Sequence, residues 1–323
     1  EISLGLVGSE MCIRDRLYFI LTVGVVVLNA FINQLYIRKF VRIRWCNIQL
    51  FKYIKPNITL GIYTLMSSMY LTFNVMYLGL VSDNTEVGYY TTAFKLYSVL
   101  LGFFTAFTSV MLPRMSSLLA NGENARFQEL VDRSCSVVAT FCIPLILYGI
   151  ILAPQIIYTL SGPEYEGAIF PMRIIMPAAF AVGMAQVLAI QILMPMKKDR
   201  VLLMASIIGA IVSLLINLLV VPYVASVGSA VVLLCSEMVV AATYVVYVLS
   251  HRLARIPIRI VWENICYSLP GALVCWGCSR WIENEFVVVV CAVILAGTVW
   301  IIVQVIAKTS VGERMKSLLL LRR

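Results

Sequence analysis

Between residues 87 and 112 the chain sets Thr91, Lys95, Ser98, Gly102, Thr105 and Ser109 at steps of four, three, four, three and four. At 100° per residue on a helix these positions stay within about 60° of one face. A cation heading a line of hydroxyls can bind a polar ligand, an anion above all, and lipid does not accept such a stripe. The plain alternative is helix contact through small residues, which needs no cavity. A lysine does not suit a seam of that kind, so the stripe reads as the wall of a cavity.

A second line, Tyr63, Ser67, Tyr70, Asn74 and Tyr77, lies on one face of the preceding apolar segment. Hydroxyls, an amide and aromatic rings suit a sugar, which offers hydroxyl groups and apolar ring faces. A tyrosine-rich helix contact explains the same residues, and both readings stand. Arg173 lies between Pro171 and Pro177, and Gln191 follows 18 residues later, five full turns on and so on the same helix face. Lys95 and Arg173 both sit six to eight residues in from one membrane edge, roughly 10 Å at about 1.5 Å per residue. They serve either as a shared cationic site or as snorkelling side chains. Glu237, amid apolar residues, is either paired structurally or a proton-coupling carboxylate. The candidate substrate-binding residues are thus Lys95, Arg173, Ser98, Thr91, Tyr63, Tyr70, Asn74 and Gln191, with Glu237 set apart for ion coupling or pairing.

Other chemistry is not indicated. Cys275 and Cys278 form a CxxC without a second ligand pair, and inside an apolar run they read as packing residues. No metal, cofactor or catalytic residue is expected. His251 sits in a loop, and Glu263 follows Arg259 by four, which makes an i,i+4 ion pair. Ala205, Gly209 and Ser213 have small-xxx-small spacing and predict close helix packing, with Ser206, Ser213 and Asn217 sharing a face. The stretch NARFQELVDR is predicted to form a short amphipathic helix with balanced charge.

The elements that must position these residues are membrane spans. The chain is 61% hydrophobic and 13% charged with mean hydropathy +0.94, far outside the range of a soluble domain of 323 residues. Segments 17–37, 56–81, 87–112, 134–161, 167–194, 200–221, 227–249, 257–279 and 286–306 each supply the apolar length of a span. The expected fold class is therefore an all-α polytopic membrane protein of about nine transmembrane helices. The net charge of +9 follows from membrane topology and does not imply nucleic-acid binding. Connections on one side, at 38–55, 113–133, 197–200, 251–259 and 308–323, hold 20 of the 25 Lys and Arg residues. The opposite connections, at 82–86, 162–166, 222–226 and 280–285, hold only Arg280 with six carboxylates. The basic side is the cytoplasmic one by the positive-inside rule, and the C-terminus belongs there.

That topology puts the start of the first span outside, where Arg14 and Arg16 break the pattern of every later loop. Residues 1–16 also lack the order of a signal peptide. They resemble a translated sequencing adapter, so the expectation is a foreign leader on a protein missing an odd number of spans upstream.

Four stretches carry a family resemblance: VGYYTTAFKLYSVLLGFFTAFTSVMLPRMSSL, IPLILYGIILAPQIIYTLSGPEYEGAI, QILMPMKKDRVLL and LINLLVVPYVASVGSAVVLLCSEM. They resemble the polysaccharide and O-antigen flippases, in the superfamily that includes the MATE exporters and the lipid II flippase. The resemblance implies about fourteen helices in two six-helix lobes plus two more. Residues 17–37 are then the last helix of a missing first lobe, 38–55 a basic cytoplasmic linker and 56–249 the second lobe. Residues 250–306 are the two additional helices and 307–323 a basic tail. The family usually has a glycine near Ala225, and this chain does not.

The implied activity is flipping of an undecaprenyl-diphosphate-linked oligosaccharide across the bacterial inner membrane for surface polysaccharide synthesis. Its partners are that lipid-linked oligosaccharide, membrane lipids and, by the same implication, polysaccharide polymerase machinery. A lipid II flippase and then a MATE-like drug or cation exporter are the alternatives. A membrane glycosyltransferase would need catalytic carboxylates on substantial loops, and the sequence holds no DxD pair.

Overall fold

The structure, a computed structural model, describes residues 20–21, 23–38, 50–255 and 257–307. The leader 1–16, most of the linker 38–55 and the tail after 307 lie outside the described residues, as does the side chain of Tyr70. The chain divides into two units, 1–54 and 55–323. The first contributes helix α1, Val23–Ile37, a short apolar helix.

The described residues of the second unit are mostly helical, joined by short turns. It comprises α2 (Leu50–Val81, entering from the first unit), α3 (Asn84–Ala120), α4 (Asn124–Ile151), α5 (Ala153–Ser161), α6 (Ile169–Gln186), α7 (Asp199–Ser250), α8 (Ile258–Trp281) and α9 (Glu285–Ile306). A 3₁₀ turn, Pro163–Ala168, precedes α6, and a π-helical stretch, Val187–Leu193, continues it. Among the described residues six helices are long and apolar enough to cross a membrane. The 52-residue α7 would measure about 78 Å if straight. Instead it folds back at Ala225, whose φ of 43° and ψ of −119° interrupt the helix after Pro222. The two expected spans 200–221 and 227–249 are its two legs. α8 is long enough to cross, but Arg259, Glu263, Asn264 and Ser268 keep it outside those six.

Small residues set the packing. α6 is the central helix, burying Ala178, Ala179, Ala181, Gly183 and Ala185. A Cβ at Gly183 would overlap Val138 of α4. Between the legs of α7, a Cβ at Gly209 would overlap Val240 Cγ2. The small-residue spacing of 205, 209 and 213 is therefore a helix seam, as the sequence predicts. Close approach of this kind supplies dispersion contacts where lipid offers no hydrophobic gain. The main core joins α3, α4, α6 and α7 through Tyr97, Phe104, Val138, Leu188 and Tyr244. A smaller cluster of Leu152, Cys275, Val288, Ala292 and Ala296 ties α8 and α9 to the α4–α5 break.

The helices differ from the expected segments in three places. α3 runs through Pro113 to Ala120 and α4 begins at Asn124, so the expected cytoplasmic loop 113–133 shrinks to a tight turn at Gly122 (φ 72°). The stretch NARFQELVDR is the first part of α4 and buries Phe127, Leu130 and Val131 in the core, so it is not a separate surface helix. Segment 134–161 is two helices, because Pro154 has no N–H and cannot continue the ladder.

Candidate functional site

The polar line of α3 lies on an open face of the helix. Lys95, Gly102, Thr105 and Ser109 are exposed, Thr91 and Ser98 half-buried. Nothing stands within 4 Å of the place a side chain at Gly102 would occupy. The hydroxyls donate back to their own helix: Thr91 to Val87 O (2.8 Å), Ser98 to Lys95 O (2.7 Å), Thr105 to Leu101 O (2.9 Å) and Ser109 to Thr105 O (2.6 Å). With their protons spent, these oxygens face outward as acceptors. The line therefore offers one cation and a row of acceptors, which suits hydroxyl donors beside an anionic group.

Beside Thr105 on that line, α2, α3, α6 and α7 line a half-open cavity of about 180 Å³. Its polar lining comes from Tyr63 and Ser67 of α2, Thr105 of α3, Gln186 of α6, and Ser206, Glu237 and Tyr244 of α7. Tyr63, Ser67 and Tyr244 share its wall. Gln186 donates to Thr105 Oγ1 (3.1 Å) and accepts from Thr108 (3.3 Å), fastening α6 to α3 beside the opening. Glu237 is 6% exposed and is held in a polar interaction. Of the two lines read from the sequence, the chamber takes in Tyr63 and Ser67 from α2 and Thr105 alone from α3. Gln186 and Tyr244 were not singled out in the sequence. Their signal was only a polar residue late in an apolar span.

Three predicted residues have other surroundings. Asn74 is 1% exposed and donates its amide to Tyr90 Oη (2.9 Å) and Ser229 O (3.0 Å), a brace between α2, α3 and α7 inside the lobe. Gln191 is fully buried in the π-helical stretch, and its amide has no hydrogen-bond partner among the described residues. Because the π geometry adds a residue to the turn, the five-turn return from Arg173 does not hold, and Arg173 and Gln191 do not share an environment. Arg173 donates from Nε to Ile150 O (3.2 Å) and lies 5.8 Å from the Phe170 ring centre. Ile150 O is the carbonyl that Pro154, four residues on, leaves without a donor. Arg173 therefore caps the α4–α5 break. Neither it nor Lys95 lines the chamber, and neither forms an ion pair among the described residues. The Arg259–Glu263 pair forms as expected, at 2.6 Å.

The family described as "Polysaccharide biosynthesis protein" matches residues 18–170. The chain is 26% identical over 189 residues to the Escherichia coli (strain K12) protein named "Putative O-antigen transporter". That match takes in 58% of this chain and 45% of the relative, so the chain spans less than half the relative's length. Among solved structures, the lipid II flippase MurJ in an inward closed conformation superposes with a TM-score of 0.66 at 13% identity, over 84% of this chain and 57% of that one. An outward-facing multidrug resistance MATE family transporter of the MOP superfamily superposes with a TM-score of 0.51 at 15% identity, over 78% and 61%. The chain is thus a multi-pass membrane protein with the fold of these transporters.

Proposed function

We propose that the protein moves a lipid-linked oligosaccharide, carried on undecaprenyl diphosphate, from the inner to the outer leaflet of the bacterial inner membrane. The observation that carries this reading is the polar chamber of α2, α3, α6 and α7, whose wall includes Thr105 of α3's acceptor line, within a fold shared with a lipid II flippase. A sugar needs hydrogen-bonding groups throughout its passage, and Thr91, Ser98, Thr105, Tyr63 and Ser67 supply them. Lys95 is the cationic contact for the diphosphate, acting as a point charge. Arg173 serves the same end of the lobe as a brace. The carbohydrate faces and the charge pattern support transport over sugar transfer, with the C-terminus cytoplasmic. Delivery to polysaccharide polymerase machinery on the outer side completes the proposed role.

The natural gene, expressed in a strain lacking its own exporter, should restore surface polysaccharide. Loss of that activity with normal membrane abundance would contradict the reading. One observation favours a second reading. Glu237 places a carboxylate in the chamber, as a cation exporter requires. Raised resistance to ethidium, without restored polysaccharide, would select that alternative. Rescue of cells depleted of their lipid II flippase would select a peptidoglycan-precursor role instead.

A further inference from the structure

A second polar cavity lies apart from the chamber, where the first turns of α3 meet the 3₁₀ turn before α6. It has a volume of about 320 Å³ and is lined by Asn84, Thr85, Gly88, Tyr89, Glu164 and Tyr165. We infer that this cavity is a binding site for a pyranose ring at the outer mouth of the protein, resting on the sidedness given under the proposed function.

Its walls are built reciprocally. Tyr89 of α3 lies so close over Gly167 of the 3₁₀ turn that a Cβ there would overlap the ring. Tyr165 of that turn lies over Gly88 of α3, 3.8 Å from where a Cβ would stand. The two rings meet edge to face, 6.2 Å apart at 78°. Each ring is half-buried and braced by the opposite backbone, so neither must be ordered on binding. A clamp between the segments would need only these ring contacts. The structure adds an open space beside them and a polar rim.

That rim is made of exposed Asn84, Thr85 and Glu164, whose side chains have no hydrogen-bond partner among the described residues. They offer an amide that donates and accepts, a hydroxyl and a carboxylate. Adjacent sugar hydroxyls match an amide and a carboxylate, and the C–H face of the ring matches an aromatic wall. No cation lines the cavity, so the diphosphate is excluded and the uncharged part of a glycan is selected. The volume falls at the low end for ligand pockets and suits a single ring.

The test is saturation-transfer NMR on the natural full-length protein in nanodiscs, with methyl β-D-glucopyranoside, methyl α-D-galactopyranoside and methyl N-acetyl-β-D-glucosaminide as probes. The ring C–H protons of at least one glycoside should be saturated. Tyr89→Ala and Asn84→Ala should each weaken binding about tenfold, whereas Tyr89→Phe should leave it intact. Asn84 is exposed, so its variant keeps the test meaningful if Tyr89→Ala folds poorly. No transfer to any glycoside, or undiminished transfer in both alanine variants, overturns the assignment. If the wild type exports no glycan, the transport reading fails while the glycoside signal still decides this site.

Discussion

The Glu86 carboxylate accepts a hydrogen bond from the backbone N–H of Ser226 at 3.0 Å, joining the first turn of α3 to the fold-back of α7. Ser226 begins the second leg, where helix N–H groups lack partners, so Glu86 caps it from another element. The residue beside it, Ala225, holds a left-handed φ of 43°. Ala225→Gly should therefore stabilise the protein. The strain costs about 1–3 kcal/mol for a non-glycine residue, and the added chain entropy of glycine offsets about 0.5–1 kcal/mol. A net gain near 1 kcal/mol should appear as a higher melting temperature in detergent, followed by fluorescence-detected gel filtration. A lower melting temperature would show that the turn does not hold this conformation.

Removing the cap should act in the opposite direction. Glu86→Ala loses a charge-assisted bond to a backbone N–H, worth about 1–2 kcal/mol when partly exposed. Combined with Ala225→Gly it should cost less, since both changes act on one turn. Additive effects in the double variant would separate the two.

Arg173 and Pro154 should couple in the same way. Arg173→Ala leaves Ile150 O without a donor and should destabilise by about 1–3 kcal/mol. Pro154→Ala restores the N–H that can fill that carbonyl. In the Pro154→Ala background, loss of Arg173 should cost at least about 1 kcal/mol less, measured as a double-mutant cycle of melting. Equal costs in both backgrounds would mean that Arg173 does not act through Ile150.

Gly209→Val should separate the legs of α7. The added side chain meets Val240 directly and Ser236 O close by, in a seam with little room to relax. A loss of about 1–3 kcal/mol is expected from overpacking. Gly102→Ala, with open space around it, should leave stability unchanged.

These sites differ in how far the sequence disclosed them. Hydropathy and loop charge gave the helices, because span length and basic loops are direct demands of the bilayer. The seam at Gly209 was legible from its spacing, and the turn at Ala225 from the connection at 222–226 between two apolar segments. The polar residues were harder. Periodicity fixes which residues share a face but not which neighbour that face meets. Asn74 thus shares a line with Tyr63 and Ser67 yet braces Tyr90 and Ser229. Arg173 serves a carbonyl 23 residues away, which no local pattern reveals. Gln191 was misplaced because the period of 3.6 gives way to a π-helical turn.

The central claim is that a lipid-linked sugar crosses the membrane along the α3 line with Lys95 as its diphosphate contact. The most direct measurement uses the natural full-length protein in proteoliposomes loaded with undecaprenyl-diphosphate-linked N-acetylglucosamine, following how fast outer-leaflet sugar becomes accessible to a membrane-impermeant lectin. The wild type should expose the sugar well above the rate of protein-free vesicles. Lys95→Ala should slow it about tenfold or more, the loss of one charge-assisted contact, with Lys95→Arg the milder change. A Lys95→Ala rate equal to wild type would remove Lys95 from the path, and a wild-type rate no faster than protein-free vesicles would contradict the account as a whole.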